Sequence, residues 1–236
     1  MDPQSLKAIN RARRERQAAV LLTDLEDNTH RIVREGERVE GPLGEAIDKA
    51  FRSGVSAAVR VDERGYFLNV YLPQPRLIVI GAVHISQAMA PIARVAGFDM
   101  EIIDPRTAFA TPERFPDVPL HAEWPEEVMK RQPLDSYTAL AALTHDPKID
   151  DFALKAALDA GCFYVGALGS RKTHAKRMER LLAAGATPAR IERIHAPIGV
   201  DIGASSPAEI AVAVLAQVIG ALRSRGNTRA KKDAAA

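Results

Sequence analysis

The sequence predicts an α/β protein: a Rossmann-like parallel sheet with helices on both faces, preceded by a small α+β N-terminal domain. Three observations carry this. From Leu77 onward, short apolar runs alternate with helix-length runs, the rhythm of a parallel sheet covered on both faces. Residues 77–86, Leu-Ile-Val-Ile-Gly-Ala-Val-His-Ile-Ser, form a buried strand that passes through a tight turn into a helix, the layout of a dinucleotide-binding fingerprint. Before them, Pro73-Gln74-Pro75 makes a stiff, extended boundary, because two prolines fix the backbone around a polar residue.

The N-terminal domain, residues 1–72, reads α-β-β-α-β-β. Pro3–Gln17 is helix-like, with Leu6 and Ile9 set among charges. Ala18–Asp24 and His30–Glu35 are strands around a polar bend at Glu26-Asp27-Asn28. After the break at Gly41-Pro42, apolar Leu43, Ile47, Ala50 and Phe51 recur at helical spacing until Ser53-Gly54. Val55–Val61 and Tyr66–Leu72 flank the turn Asp62-Glu63-Arg64-Gly65 as a hairpin.

Residues 73–76 are the linker and 77–223 the Rossmann-like domain. Its strands are Leu77–Ile80, Asp99–Ile103, Leu120–Glu123, Tyr137–Leu143 and Phe163–Leu168. Its helices are Ile85–Ala96, Asp150–Ala160, Ser170–Ala184 and Pro207–Leu222, the last opening on a proline at a favoured helix start. Residues 105–118 are irregular. Residues 224–236, rich in Ala, Lys and Arg, are expected to be a disordered tail.

Composition narrows the function. Hydrophobic residues at 47%, charged residues at 26% and a net charge of +2 describe an ordinary globular chain and argue against a dedicated nucleic-acid binder. Cys162 is the sole cysteine, so no intramolecular disulfide forms and a reducing, cytoplasmic setting is expected. No signal-peptide pattern is visible. The longest apolar stretch, Ala208–Leu222, contains Glu209 and Gln217 and suits a packed helix rather than a membrane span.

Five stretches carry candidate chemistry. A full fingerprint would place glycine at 81, 83 and 86; this chain has Gly81, Val83 and Ser86, so Ala82-Val83-His84 brings a β-branched side chain to the phosphate-approach position. Asp104 follows Gly81 by 23 residues, near the spacing of the acid that binds an adenosine ribose, and Arg106 is placed to meet a 2′-phosphate. Thr144-His145-Asp146-Pro147 ends a strand where open α/β sheets bind ligands; Asp146 or Asp150 reads equally as a helix cap. A metal site from His145, Asp146, Asp150 and Asp151 has no recognisable ligand spacing.

Gly166-Ala167-Leu168-Gly169-Ser170-Arg171-Lys172-Thr173-His174 joins a strand to a helix. Its N–H groups, hydroxyl and cations make an anion site, and its cations oppose the helix dipole, so helix stability does not account for them. His195-Ala196-Pro197-Ile198-Gly199-Val200-Asp201-Ile202-Gly203 is too apolar for a free linker, leaving His195 and Asp201 as candidates. Ser206 and Glu209 form a capping box. Cys162 reads as a buried, inert thiol or as a soft ligand for a sulfur-bearing cofactor.

Taken together, Ile80–His84, Asp104–Arg106, Thr144–Lys148, Gly166–His174 and His195–Gly203 resemble the XdhC/CoxF family, accessory proteins in the maturation of xanthine and carbon monoxide dehydrogenases and other molybdenum hydroxylases. The resemblance implies a Rossmann-like domain, binding of the molybdenum cofactor (molybdopterin) and its protected delivery to an apo-enzyme after sulfuration by a cysteine desulfurase. It also implies a homodimer. Cofactor contact then falls to Gly81, Ala82, Val83, His84, Asp104, Arg106, Thr144, His145, Asp146, Gly166, Gly169, Ser170, Arg171, Lys172, His174, His195 and Asp201. The chain departs from the family pattern in two places. Val83 stands where the family turn has glycine, and residues 1–72 lack the cysteine-containing, glycine-rich segment of longer members. Two other readings stay open: an NAD(P)-dependent oxidoreductase, against which Val83 weighs, and a non-catalytic module that recruits the target enzyme.

Overall fold

The computed structural model describes residues 3–233, the stretch 226–233 by backbone alone. It divides into two compact units, one of residues up to Pro73 together with those from Arg223 onward, the other Gln74–Leu222.

The first unit holds helix α1 (Pro3–Arg14), strands β1 (Ala19–Asp24) and β2 (His30–Arg34), helix α2 (Gly41–Ser53), and strands β3 (Ala57–Val61) and β4 (Arg64–Tyr71). The four strands form an antiparallel sheet in the order β2-β1-β4-β3. The expected four-residue turn is shorter: Val61 pairs with Arg64, and Asp62 and Glu63 both adopt left-handed backbone (φ 49° and 67°). That is the twist a two-residue hairpin needs. Helix α2 stops at Gly54, whose φ of 67° lets its N–H close on Ala50 O.

The second unit is the parallel sheet. Its strands are β5 (Arg76–Ile80), β6 (Asp99–Ile103), β7 (Leu120–His121), β8 (Thr138–Ala142), β9 (Tyr164–Ala167) and β10 (Ile194–His195), in the order β10-β9-β8-β5-β6-β7. All pairs are parallel. This is the doubly wound order: from β5 the sheet grows through β6 and β7 on one side and through β8, β9 and β10 on the other. Helices α3 (His84–Val95) and α8 (Pro207–Asp233) supply Met89, Ala93, Val214 and Val218 to one face, against Leu77, Val79 and Ala141. Helices α4 (Pro125–Arg131), α5 (Pro147–Asp159), α6 (Arg171–Ala183) and α7 (Pro188–Ile191) cover the other, where Val128, Leu154 and Leu181 meet Ile78, Ile80 and Leu140. The near-continuous apolar strands follow from burial on two faces.

The structure corrects the expectation at several points. Arg76, placed in the linker by sequence, begins β5. Its N–H bonds Tyr137 O, and its buried guanidinium donates to Pro133 O (2.6 Å) and lies 3.8 Å from Asp135. α4, α7 and β10 have no counterpart in the sequence reading, and β7 spans two residues rather than four. α8 runs on to Asp233, where the sequence predicts a disordered tail over 224–236. Ala, Arg and Lys extend an existing helix cheaply, and Arg225 reaches Glu35 (3.4 Å). Residues 234–236 lie outside those described. The capping box of α8 forms as read: Glu209 accepts the N–H groups of Ser205 and Ser206, and Ser206 Oγ accepts Glu209 N–H. α8 alone among the described helices has the length and apolar composition to cross a membrane, over Pro207–Arg225. Its Ala211, Val214, Leu215 and Val218 are nonetheless buried on the sheet.

Gly166 in β9 is needed for packing. A Cβ there would lie 2.5 Å from Tyr164 Oη and 2.7 Å from Ile198 Cγ1. The Tyr164 hydroxyl is anchored on Gln217 (2.7 Å), whose side chain also bonds Gly199 N–H and O. Gly166→Ala should therefore destabilise the fold by about 1–3 kcal/mol through overpacking; denaturant unfolding measures this, and an unchanged midpoint would contradict the packing role.

Candidate functional site

Chain order reverses between β5 and β8, and there the turns leaving the two strands diverge, opening a crevice at their carboxyl ends. The turns after β5, β6, β8 and β9 supply the residues around it.

The β5–α3 turn is closed by its own neighbours. Gly81 has φ +123°, a conformation that calls for glycine, and a Cβ on it would press tightly on Thr144 Cγ2 at 3.0 Å. Ala82 N–H donates to Asp104 Oδ2 (2.8 Å) and Val83 N–H to Ser86 Oγ (2.9 Å). The Ser86 hydroxyl lies 2.7 Å from Gly81 O, donating into the turn where the fingerprint would have its third glycine. Val83 is half-buried and His84 exposed at the first turn of α3.

Asp104, fully buried, does not present a free carboxylate for a ribose. It accepts Arg106 N–H (2.9 Å), Arg106 Nε (2.9 Å) and Arg106 Nη2 (2.7 Å) as well as Ala82 N–H. Burial alone would raise its pKa, but the guanidinium and the two N–H groups outweigh it and hold the carboxyl below the ordinary value. Arg106 stacks on Phe109 at 4.8 Å. Arg114, missed by sequence reasoning within the irregular 105–118 stretch, donates to Ala82 O (3.1 Å) and Phe109 O (2.7 Å). Nothing in its local spacing distinguishes it from any other loop arginine.

After β8, Thr144 donates to Asp150 Oδ1 (2.7 Å) and accepts Asp146 N–H (3.0 Å). Asp146 caps α5 through Lys148 N–H (2.9 Å). His145 is exposed and holds left-handed backbone, φ +63°, a conformation that costs a non-glycine residue on the order of 1 kcal/mol or more. A Cβ on Gly169 would lie 3.7 Å from His145 Nδ1, so the β8 and β9 turns meet here. Asp150, 1% exposed, is a residue that sequence reading weighs only as a cap or metal ligand. Burial pushes its carboxyl up to about 6, against the Thr144 hydroxyl and the Arg177 charge, which favour ionisation.

The β9–α6 turn differs from the β5–α3 turn. Gly169 has φ +133°, and Ser170 caps α6 by accepting Thr173 N–H (3.2 Å). Arg171 and Lys172 are exposed. Among the described residues, the N–H groups of Gly169, Ser170, Arg171 and Lys172 have no acceptor. Arg177, which sequence reading does not single out, is 2% exposed and donates from Nη2 to Leu168 O (2.9 Å). Burial pushes the pKa of His174 down.

Four expected residues stand apart. Gly166 lies inside β9 as a packing glycine. His195 is in the edge strand β10, stacked on Tyr164 with ring centroids 4.9 Å apart. Asp201 is exposed and accepts only Gly203 N–H (3.4 Å) among the described residues. Cys162 precedes β9, so it sits at the opposite end of the sheet from the turns, a strand length of about 13 Å away. It is fully buried, and burial pushes its thiol up to about 12. A protonated, enclosed thiol is a poor soft ligand. No group of three or more His, Cys, Asp or Glu among the described residues is arranged to hold a metal ion.

Asp150 links this geometry to pH. The folded chain keeps its proton up to about pH 6, whereas an ordinary carboxyl releases it near 3.8. The folded state therefore binds more protons in that interval, and this contribution to stability is full below about pH 4 and lost as pH rises through about 6. Asp150→Asn retains a partner for Thr144 without the charge. Above pH 6 it should be the more stable chain by about 2–3 kcal/mol, and it should lack the decline. Denaturant midpoints measured from about pH 4 to 8 check this; an identical decline in the variant would overturn it.

Comparison with known proteins places this architecture. The XdhC Rossmann domain family model matches residues 77–218. YqeB, an uncharacterised protein of Escherichia coli K12, is 34% identical over 158 residues, 65% of this chain and 28% of its own length. A Bacillus subtilis protein named as a probable xanthine dehydrogenase subunit is 32% identical over 154 residues, 65% of this chain and 44% of its own. The molybdenum cofactor insertion chaperone PaoD of Escherichia coli K12 is 31% identical over 181 residues, 75% of this chain and 50% of its own. The chain thus spans half or less of the length of these curated relatives. A Bacillus halodurans crystal structure described as a xanthine dehydrogenase shares the fold, with a TM-score of 0.67 at 22% identity over 96% of this chain and 68% of that one. With the family model covering more than half of the sequence, the chain belongs to the XdhC family.

Proposed function

We propose that this protein binds the molybdenum cofactor and acts in its insertion into a molybdenum hydroxylase of the xanthine or carbon monoxide dehydrogenase type. The observation that carries the reading is the contrast between two turns. In the β5–α3 turn, the N–H groups of Ala82 and Val83 are already bonded to Asp104 and Ser86. That takes the two N–H groups nearest Gly81 away from a dinucleotide pyrophosphate and leaves those of His84 and Ile85, beside the branched Val83, without an acceptor among the described residues. In the β9–α6 turn, consecutive N–H groups without acceptors among the described residues stand beside Arg171 and Lys172, an arrangement suited to a terminal phosphate such as molybdopterin carries. The names of two relatives, one an insertion chaperone and one part of a xanthine dehydrogenase, support a maturation role.

The residues fit the anionic end of the cofactor. Gly169, Ser170, Arg171 and Lys172 would hold the phosphate, with His145 and Arg106 at the sides of the crevice. They offer no thiolate or metal cluster for the other end. The bound cofactor would bring an oxygen-sensitive metal dithiolene, and the part of this chain is to bind, orient and shield it rather than turn over a substrate. In this reading the partners are the apo-hydroxylase and a cysteine desulfurase, the carrier is a cytoplasmic homodimer, and neither nucleic acid nor membrane is involved.

Purification of the full chain from a molybdenum-replete host, followed by oxidation and pterin fluorescence, tests the reading. Stoichiometric pterin is expected, and its repeated absence would overturn cofactor carriage. Thermal shift with NAD and NADP should show no stabilisation; micromolar binding with turnover of a reducible substrate would favour an oxidoreductase instead. Arg171→Ala should weaken cofactor retention by about tenfold while changing stability by less than about 0.5 kcal/mol, because the cation is exposed.

A further inference from the structure

Arg177 is an anomaly in the β9–α6 region. It lies two turns into α6, is 2% exposed, and has one hydrogen bond, from Nη2 to Leu168 O. Among the described residues, its Nε and Nη1 are buried without a hydrogen-bond partner, as is Nδ1 of His174 three residues earlier. Burial pushes its pKa down, opposed by the charges of Asp150 and Asp151. Asp151 is engaged by Arg180 in an ion pair, and Oδ2 of Asp150 is itself buried without a partner. A guanidinium in this state is a costly thing for a fold to keep, and packing alone would be better served by an apolar side chain.

Its single hydrogen bond shows what it does to the turn. A trans peptide points its C=O and N–H in opposite directions. Drawing the Leu168 carbonyl to Arg177 therefore directs Gly169 N–H away from the guanidinium, and it and the N–H groups of Ser170, Arg171 and Lys172 have no acceptor among the described residues. The buried cation is thus one peptide unit from Gly169 N–H, where low dielectric lengthens its reach.

We propose that Arg177 is the positioning residue of an anion site at the α6 N-terminus, and that the ligand group held there is a phosphate monoester dianion. The row of N–H groups takes the phosphate oxygens, Arg171 and Lys172 close over them, and Arg177 orients the row and supplies buried charge. The ionised Asp150, though beyond ion-pair distance, is the largest opposite charge acting on Arg177, so it competes electrostatically with an anion for the guanidinium. The inference rests on the phosphate-bearing ligand of the proposed function but is tested apart from it.

Calorimetric titration of the full chain with inorganic phosphate at about pH 7.5, where the dianion prevails, distinguishes positioning from plain structural support. Arg177→Met should weaken phosphate binding by about tenfold or more, and Arg177→Lys should recover part of the loss. Asp150→Asn should act in the opposite direction, strengthening binding by about threefold, because it frees the guanidinium of its competitor. Should Arg177→Met fail to fold, the Arg177→Lys and Asp150→Asn pair still gives opposite signs. Equal weakening in the Arg177 and Asp150 variants, or unchanged affinity in Arg177→Met, overturns the proposal. Absence of phosphate binding in the wild-type chain also overturns it, and if oxidised pterin still co-purifies, cofactor carriage survives without this site. Arg177-dependent phosphate binding without any pterin gives the converse.

Discussion

The larger unit depends on β5 being hydrogen-bonded to β6 on one side and to β8 on the other while the chain departs from it in only one direction at a time. Right-handed crossovers then send α3 to one face and α5 to the other. The two turns separate, and every later loop of consequence is delivered to the same sheet end. Gly81 and Thr144 meet at that reversal so closely that a Cβ on Gly81 would press on Thr144 at 3.0 Å. The crevice is thus pinned at its base by backbone packing. Its character comes from the outer turns.

Two buried carboxylates beside this crevice behave oppositely, and the difference lies in how well each is supplied with donors. Asp104 collects two N–H groups and a bidentate guanidinium, enough to overcome desolvation and keep it ionised. Asp150 has one close hydroxyl, weaker help from the Thr144 and His145 backbone, and a guanidinium beyond ion-pair distance. Burial prevails there, and the proton is held to about pH 6. Asp104 therefore acts as a fixed strut between β6, the β5–α3 turn and Arg106. Asp150 is a weakly compensated buried charge whose field reaches Arg177, the residue that bonds the α6 turn at Leu168 O.

Much of the frame was legible in the sequence. The apolar run at Leu77–Ile80 and the helix opening at Pro207 are each marked by local signals: continuous apolarity ended by a glycine in the first, a capping box in the second. The two-residue strands β7 and β10 and the short helices α4 and α7 carry too few residues to express a period, and they form because neighbouring strands and faces accept them. Arg76 reads as linker for a related reason, since a charged residue beside two prolines has no sequence mark of burial, and its partners Pro133 and Asp135 are nearly 60 residues away.

The site was legible by position more than by role. Gly81, Gly169 and Ser170 declare turns and caps through their own chemistry, and the cations after Ser170 stand out because they oppose the helix dipole. By itself the sequence determined that this is a Rossmann-like sheet with an altered fingerprint, and that a glycine–serine turn followed by two cations leads from a later strand into a helix. Only the tertiary structure decided that the Asp104 carboxylate is engaged by Arg106 and Ala82, that Gly166 and His195 pack against Tyr164, that Cys162 is sealed at the far sheet end, and that the buried Arg177 bonds Leu168 O at the α6 turn. Those outcomes depend on which side chains meet across long sequence separations, and hydrogen-bond competition among them is settled by geometry that no local pattern encodes.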